Sequence, residues 1–489
     1  MGNSPQITSI HILDDNSLLH LFYLYRPPIF DGNEDDGLRF MGGRAWKREL
    51  WWYKLAHVCQ RWRNLIFESA SYLNLCLVCT YGTPIADMLA HSPPLPLVID
   101  YAGGDLQLTA KAEEGIILAL EQRDRVHRVR LVTSLPTLLK LVVVMVEEYP
   151  VLEYLIMGLS TEDHSKALML PERFQAPHLR HLLLRGFTLP MESRLLMTAV
   201  GLVTLTLVLD HMSAHFRPNN LLQWLSFMPQ LETFRVNFFY PVSDDDVERQ
   251  LTQMPTMTHV TLPSLRHFVF RGVGAHMGAL APWLTTPRLE KLEIYFNQLT
   301  LSVRPFLQFM ETAENLIFDS AKLEFDFSKG RVFVGMYLRE DAETYPLSMI
   351  VYHWHLDEQV SFLAHIFNLL SQTFSSVEHL TFEHKLPDRP SEELIEVDRT
   401  EWRRLLRPFN NVKTLRVNGG LVKELSRCLR LDDGELPLEL LPKLQGLTYW
   451  GPILGGGHAR DGFTSFADAR QKAGRPVTLI RRRHLRYRH

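Results

Sequence analysis

Apolar positions recur along this chain in one short phrase. A proline or small residue is followed by one free position, an apolar residue, two variable residues and an apolar-x-apolar run. The phrase reads Pro177-His178-Leu179-Arg180-His181-Leu182-Leu183-Leu184 and returns from Pro229, Pro263, Pro287 and Pro442. Versions without the proline begin near Val151, Gly201, Ser376 and Asn411. The alternation predicts a short strand. Segments ahead of several phrases carry apolar residues at helical spacing, as at 139–149, 221–228, 363–370 and 402–409. The predicted unit is helix, turn, strand. The proline is expected at the junction because it cannot continue the helix and biases the residue before it towards extended geometry.

Leu179, Leu202, Leu231, Leu265 and Leu289 are separated by 23, 29, 34 and 24 residues. These steps bracket the roughly 20–29-residue period of leucine-rich repeats. The expected fold class is α/β: a small helical N-terminus, then an irregular leucine-rich-repeat-like solenoid with parallel strands on one face and helices on the other. An open parallel sheet with covering helices is the alternative. Residues 300–352 lose the phase of the repeat. There, Leu323-Glu324-Phe325-Asp326-Phe327 and Val332-Phe333-Val334-Gly335-Met336-Tyr337-Leu338 alternate around Ser328-Lys329-Gly330, which predicts strands in a hairpin.

The first seventy residues are patterned differently. Leu18, Leu21, Phe22 and Tyr25 stand at i, i+3, i+4, i+7, with Asp14 or Asp15 placed to cap a helix. Leu55, Val58, Cys59, Trp62 and Ile66 continue the same spacing over a second predicted helix, beside Trp51, Trp52 and Tyr53. Between them, 26–48 includes the polar run Asp31-Gly32-Asn33-Glu34-Asp35-Asp36-Gly37, read as a loop. So many aromatics in so short a stretch need cover from the repeat body or from a partner.

Leu13-Asp14-Asp15-Asn16-Ser17-Leu18-Leu19-His20-Leu21-Phe22 resembles the opening of an F-box. Leu55-Ala56-His57-Val58-Cys59-Gln60-Arg61-Trp62-Arg63 resembles its second half. The likeness extends to fungal F-box proteins with leucine-rich-repeat-like bodies, through 75–84, 93–101 and 463–479. Two departures stand out: Asp14 occupies the place of the usual proline, and the acidic loop is longer than in the compact motif. The resemblance implies a substrate receptor of an SCF-type cullin–RING ubiquitin ligase. Leu13, Leu18, Leu21, Phe22, Leu55, Val58, Cys59 and Trp62 would then divide between the domain's core and a groove on a Skp-type linker protein, which brings a cullin. It also implies domains at 8–72 (F-box-like, with the acidic loop near 27–48) and 73–480 (repeat-like), leaving a basic tail at 481–489. The alternative is an interaction scaffold whose N-terminal helices only cap the solenoid.

A protein substrate remains unnamed by the sequence. If the strand face reads it, the variable side chains include Arg180, His181, Glu232, Arg235, Arg266, His267, Lys291, Glu293, Lys413 and Arg416, which mix both signs.

Composition narrows the function further. With 46% hydrophobic and 22% charged residues, the chain of 489 reads as a folded protein. A net charge of −3 argues against a chain-wide nucleic-acid surface, and no nucleic-acid partner is expected. Four cysteines indicate no disulfide framework and a reducing compartment. No signal peptide is read at 1–10, and the apolar stretch 138–146 is too short to span a bilayer. The expected location is cytoplasm or nucleus, without a membrane partner. Cys76-Leu77-Val78-Cys79 has ligand spacing but no second pair, and His353-Trp354-His355 lacks a third ligand and reads as an exposed strand. Gly451-Pro452-Ile453-Leu454-Gly455-Gly456-Gly457-His458 lacks the lysine of a phosphate loop. Asp244-Asp245-Asp246 lacks EF-hand spacing. No catalytic residue, metal site or cofactor is expected. The tail from Arg481 could address the nucleus or be a solvated terminus.

Overall fold

The computed structural model describes residues 13–27, 50–102, 108–160, 168–190, 192–209, 218–238, 258–297, 303–313, 315–339, 344–385, 397–418, 420–431, 434–450 and 458–482. The chain forms two compact units, Met1–Ala214 and His215–His489.

The repeated phrase has one local cause. In every copy the phrase leucine donates its N–H to the carbonyl three residues earlier: Leu179 to Ala176 at 3.1 Å, Leu231 to Met228 at 3.2 Å, Leu265 to Leu262 at 3.3 Å, Leu289 to Thr286 at 3.1 Å and Leu444 to Leu441 at 3.0 Å. The proline is thus the second residue of a β-turn, where its fixed φ is favourable and its missing N–H costs nothing. Both ends of each turn are buried, and the apolar-x-apolar run follows with its two apolar residues on the same side. This corrects the expectation that the proline ends a helix. The helix before Pro229 already stops at Ser226, and no helix leads directly into Pro177, Pro263 or Pro442.

In the first unit, helices α1 (Asp15–Tyr25), α2 (Trp51–Ala56) and α3 (Gln60–Glu68) precede a parallel sheet. Its strands are β1 (Leu77–Cys79), β2 (Leu97–Tyr101), β3 (Val126–Thr133), β4 (Tyr154–Leu159), β5 (His181–Arg185) and β6 (Thr204–Leu209), paired in chain order. Ala110–Leu120 and Leu135–Val144 are among the helices in the connections, the latter turning Leu138, Leu141 and Val142 inward. The expected second helix is broken. Cys59 is fully extended (φ −160°, ψ 169°) and starts α3, so Leu55 and Trp62 lie on different helices although their spacing fits one.

The second unit contains β7 (Thr233–Phe238), β8 (His267–Gly272), β9 (Lys291–Phe296), β10 (Ser320–Asp326), β11 (Arg331–Tyr337), β12 (Leu347–Tyr352), β13 (His379–Lys385), β14 (Thr414–Asn418), β15 (Gly446–Trp450) and β16 (Thr478–Arg482). Their order is β7-β8-β9-β12-β11-β10-β13-β14-β15-β16. All neighbours are parallel except β11, which runs against both β10 and β12. The predicted hairpin is β10–β11, and it enters the array together with β12 as a reversed meander. β12 continues from β9, while β10 carries the sheet on to β13. One face of each strand from β7 to β15 is packed, with Phe234, Phe268, Leu292, Phe325, Phe382, Leu415 and Leu447 essentially inaccessible, while β16 has no buried side chain. Phe234 stacks on Phe268 at 5.3 Å, and Trp402, from the helix Arg399–Leu406, meets Phe325 and Phe382 edge-on at 5.9 and 6.0 Å. Each such side chain removed from water stabilises the fold by roughly 1.5–3 kcal/mol.

Arg481 and Arg482 belong to β16, so the expected tail loses its first two residues to the sheet. His353 follows β12 and His355 precedes the helix Leu356–Leu369, so this pair is a loop rather than the expected strand. Residues 31–37, 244–246, 451–457 and 483–489, which carry other sequence readings, lie outside the described residues.

Candidate functional site

Two surfaces carry the residues singled out by sequence. The first is the N-terminal helical cluster. Asp14 caps α1, accepting from the Ser17 N–H at 2.7 Å, which holds its carboxyl below the usual range. Arg61 on α3 donates to the Leu13 carbonyl and to Asp15, both at 2.7 Å, and so ties α3 to the start of α1. Leu18, Phe22, Trp62, Leu65 and Ile66 fill the interior, with Phe22 edge-on to Trp62 at 4.9 Å. Leu13, Leu55 and Cys59 are partly covered. Leu21 and Val58 face outward, exposed by 45% and 55%, and Leu24 and Tyr25 are exposed by 65% and 58%.

Another side of this cluster is closed. The Trp52 indole N–H donates to the Cys76 carbonyl at 3.3 Å, and Leu50 packs against Cys76, Val78 and Val98 of the first strands. The cluster therefore has a side that seals the beginning of the sheet and a side with apolar residues in solvent. Cys76 and Cys79 are buried, and burial pushes the Cys79 thiol up to about 12, an inert structural cysteine.

The second is the strand face opposite the packed one, taken in each unit by itself: Arg180 and His181 are in the first unit and the other eight expected residues in the second. The ten are of two kinds. His181, Arg235, His267, Lys291, Glu293 and Arg416 lie on strands with their side chains on the open face. Arg180, Glu232, Arg266 and Lys413 do not. They sit one residue after the apolar anchor of the phrase (Leu179, Leu231, Leu265 and Val412), before the strand begins, and their side chains line its rim. Their carbonyls make the joints of the array. The Arg180 carbonyl accepts from the N–H groups of Val203 and Thr204 at 2.8 and 3.0 Å. The Glu232 carbonyl accepts from Arg266 and His267 at 2.9 and 3.0 Å, and the Lys413 carbonyl from Gln445 and Gly446 at 2.8 and 3.1 Å. At the rim, Arg266 pairs with Glu290 at 3.0 Å and Lys413 with Glu378 at 2.7 Å.

On the open face, Glu293 collects three donors: His267 at 2.9 Å, Lys291 at 3.0 Å and the Tyr295 hydroxyl at 2.9 Å. Burial raises the Glu293 carboxyl, but the His267 hydrogen bond and the Lys291 charge outweigh it and hold it at about 2. Further along, Lys322 bridges Glu324 at 3.1 Å and Glu383 at 2.8 Å, and Lys385 reaches Glu324 at 2.5 Å. The parallel pairing of β10 with β13, which the sequence could not show, brings Lys322, Glu324 and Glu383 together on this face.

Among the described residues no group of three or more His, Cys, Asp or Glu side chains is arranged to hold a metal ion, and no helix is long and apolar enough to cross a membrane. No family model matches the chain, and comparison with curated proteins finds no match. Among solved structures the chain is similar to a leucine-rich repeat-containing protein, LegL7 from Legionella pneumophila, at 14% identity over 59% of this chain and 91% of that one, with a TM-score of 0.21. A likeness that slight carries no argument, and the repeat character described here rests on the turns, the strand order and the register.

Proposed function

We propose that this chain is a non-catalytic substrate-recognition adaptor of an SCF-type cullin–RING ubiquitin ligase. The N-terminal helices bind a Skp-type linker, and the repeat body holds a protein substrate. The observation that carries this reading is the exposed apolar set of Leu21, Leu24 and Tyr25 on one face of α1, with Val58 also in solvent, on a cluster whose interior is already filled by Leu18, Phe22 and Trp62. Helix-in-groove recognition uses such anchors, and a few of them supply most of the affinity. Trp62 supports the set from inside. The adaptor works by proximity, raising the effective concentration of the substrate near a charged conjugating enzyme, in the cytoplasm or nucleus.

Co-purification of the full-length protein with a Skp-type linker tests this. The wild type is expected to capture the linker, and Leu21→Asp and Val58→Asp to lose it while keeping their circular dichroism. Failure of the wild type, under conditions in which a known F-box binds, refutes the reading. A second reading, an interaction scaffold whose N-terminal helices only cap the sheet, is favoured by the Trp52–Cys76 hydrogen bond and the Leu50 packing. Under it, Val58→Asp changes no binding.

A further inference from the structure

We propose that the open face of β14–β16 takes an acidic, extended segment of a partner protein, held by Arg416 and Arg482 beside Trp450. This rests on reading the repeat body as the substrate-holding part and names the chemistry it holds.

The register puts nine residues on this face: Thr414, Arg416 and Asn418, then Gly446, Thr448 and Trp450, then Thr478, Ile480 and Arg482. The alternate residues Leu415, Val417 and Leu447 are buried on the other side. Two of the nine are arginines and none is a carboxylate. Arg416 is exposed and, among the described residues, forms no ion pair. Arg482 lies over the Trp450 ring at 5.9 Å, an aromatic–guanidinium platform. The carboxylates nearest along the sheet are already engaged, Glu383 by Lys322 and Glu324 by Lys322 and Lys385. Positive charge is therefore left over on the last strands and not on the meander.

Two further observations agree. At the rim of β13, the His379 ring lies 3.4 Å from the Arg339 guanidinium and hydrogen-bonds the Thr414 hydroxyl at 2.7 Å. Its proton affinity is reduced first by burial and then by Arg339, with Arg416 acting in the same direction against Asp319 and Glu378. The first row of the face is low at its central strand: a Cβ built at Gly446 would meet nothing within 4 Å. Adjacent strands are about 4.8 Å apart and residues rise about 3.4 Å, so the backbones at Arg416 and Arg482 are separated by about 12 Å, roughly four residues of an extended peptide. A peptide fits better than nucleic acid. Nucleic acid affinity grows with the number of phosphates contacted, and here a few arginines act in a chain of net charge −3.

The test is fluorescence anisotropy on the full-length protein. The probes are a Gly/Ser peptide of about twelve residues with glutamates four apart, its phosphoserine and lysine counterparts, and an oligothymidylate. The glutamate peptide is expected to bind and the lysine peptide not to. Arg416→Glu and Arg482→Glu are each expected to weaken binding about tenfold, with melting and linker capture unchanged. Unchanged affinity in the double variant overturns the proposal, as does binding of the phosphoserine peptide alone or of oligothymidylate in place of the peptide. Linker capture is read in the same preparations. Lost peptide binding with capture intact removes this inference only, whereas lost capture with peptide binding intact removes the adaptor reading only.

Discussion

Replacing Arg470 by methionine keeps most of the side-chain length and deletes its charge. Arg470, on the helix His458–Lys472, is fully buried and pairs with no carboxylate among the described residues. Its guanidinium donates to four main-chain carbonyls of the turn leading into β15: Pro437 at 3.5 Å, Leu441 at 3.1 Å, Pro442 at 2.9 Å and Leu444 at 3.2 Å. In that turn Leu441 has φ 50°, a left-handed conformation that a leucine adopts at a cost of about 1 kcal/mol or more. Counting only the two shortest bonds, at about 1.5–3 kcal/mol each for a charged donor, the loss is about 3–6 kcal/mol. Part is recovered because methionine need not leave water as a cation. The expected net destabilisation is about 2–4 kcal/mol, with Arg470→Lys intermediate. Urea unfolding gives the magnitude, and hydrogen exchange over 437–450 gives the location. An unchanged urea midpoint together with unchanged exchange in that segment would show that the clasp does not hold the turn.

Three further outcomes are expected. A side chain at Gly462 would collide with the Ser426 carbonyl, so Gly462→Ala should force the helix His458–Lys472 away from the helix Leu421–Leu429 and lower stability by about 1–3 kcal/mol in thermal melts. Pro263→Ala should cost about 0.4–1 kcal/mol by loosening the unfolded chain, with no change in near-ultraviolet dichroism. Glu293 has a depressed folded value, so its contribution is complete above about pH 4.5 and is lost as pH falls towards 2. Glu293→Gln should therefore flatten the acid limb of stability in that window, and a wild-type-like limb in the variant would assign it elsewhere.

The strands were legible because each phrase is a local device, a turn and an alternating run, that needs no distant partner to be recognised. β10 and β11 were legible for the same reason. Their placement was not: nothing in 320–337 says that β12 will take the position beside β9. The break at Cys59 was hidden because helical spacing continues across it from Leu55 to Trp62. The rim residues Arg180, Glu232, Arg266 and Lys413 were read as part of the strand because a polar residue beside an alternating run looks the same one position either way. Arg470 carried a usable signal, since it follows Phe463, Phe466 and Ala467 at i+7, i+4 and i+3 on one helical stripe, a place where an arginine must be buried with partners.

The joints described at Arg180, Glu232, Arg266 and Lys413 are made by backbone atoms alone. Any side chain but proline, which would remove the N–H that Arg180, Arg266 and Lys413 donate, can stand at such a position without altering how one repeat is fastened to the next. A substitution there rewrites the charge pattern of the rim while leaving the spacing of the array intact. The architecture thus separates what must stay fixed from what is free to diverge, and an interaction rim built this way can acquire a new ligand by single exchanges with little risk to the fold.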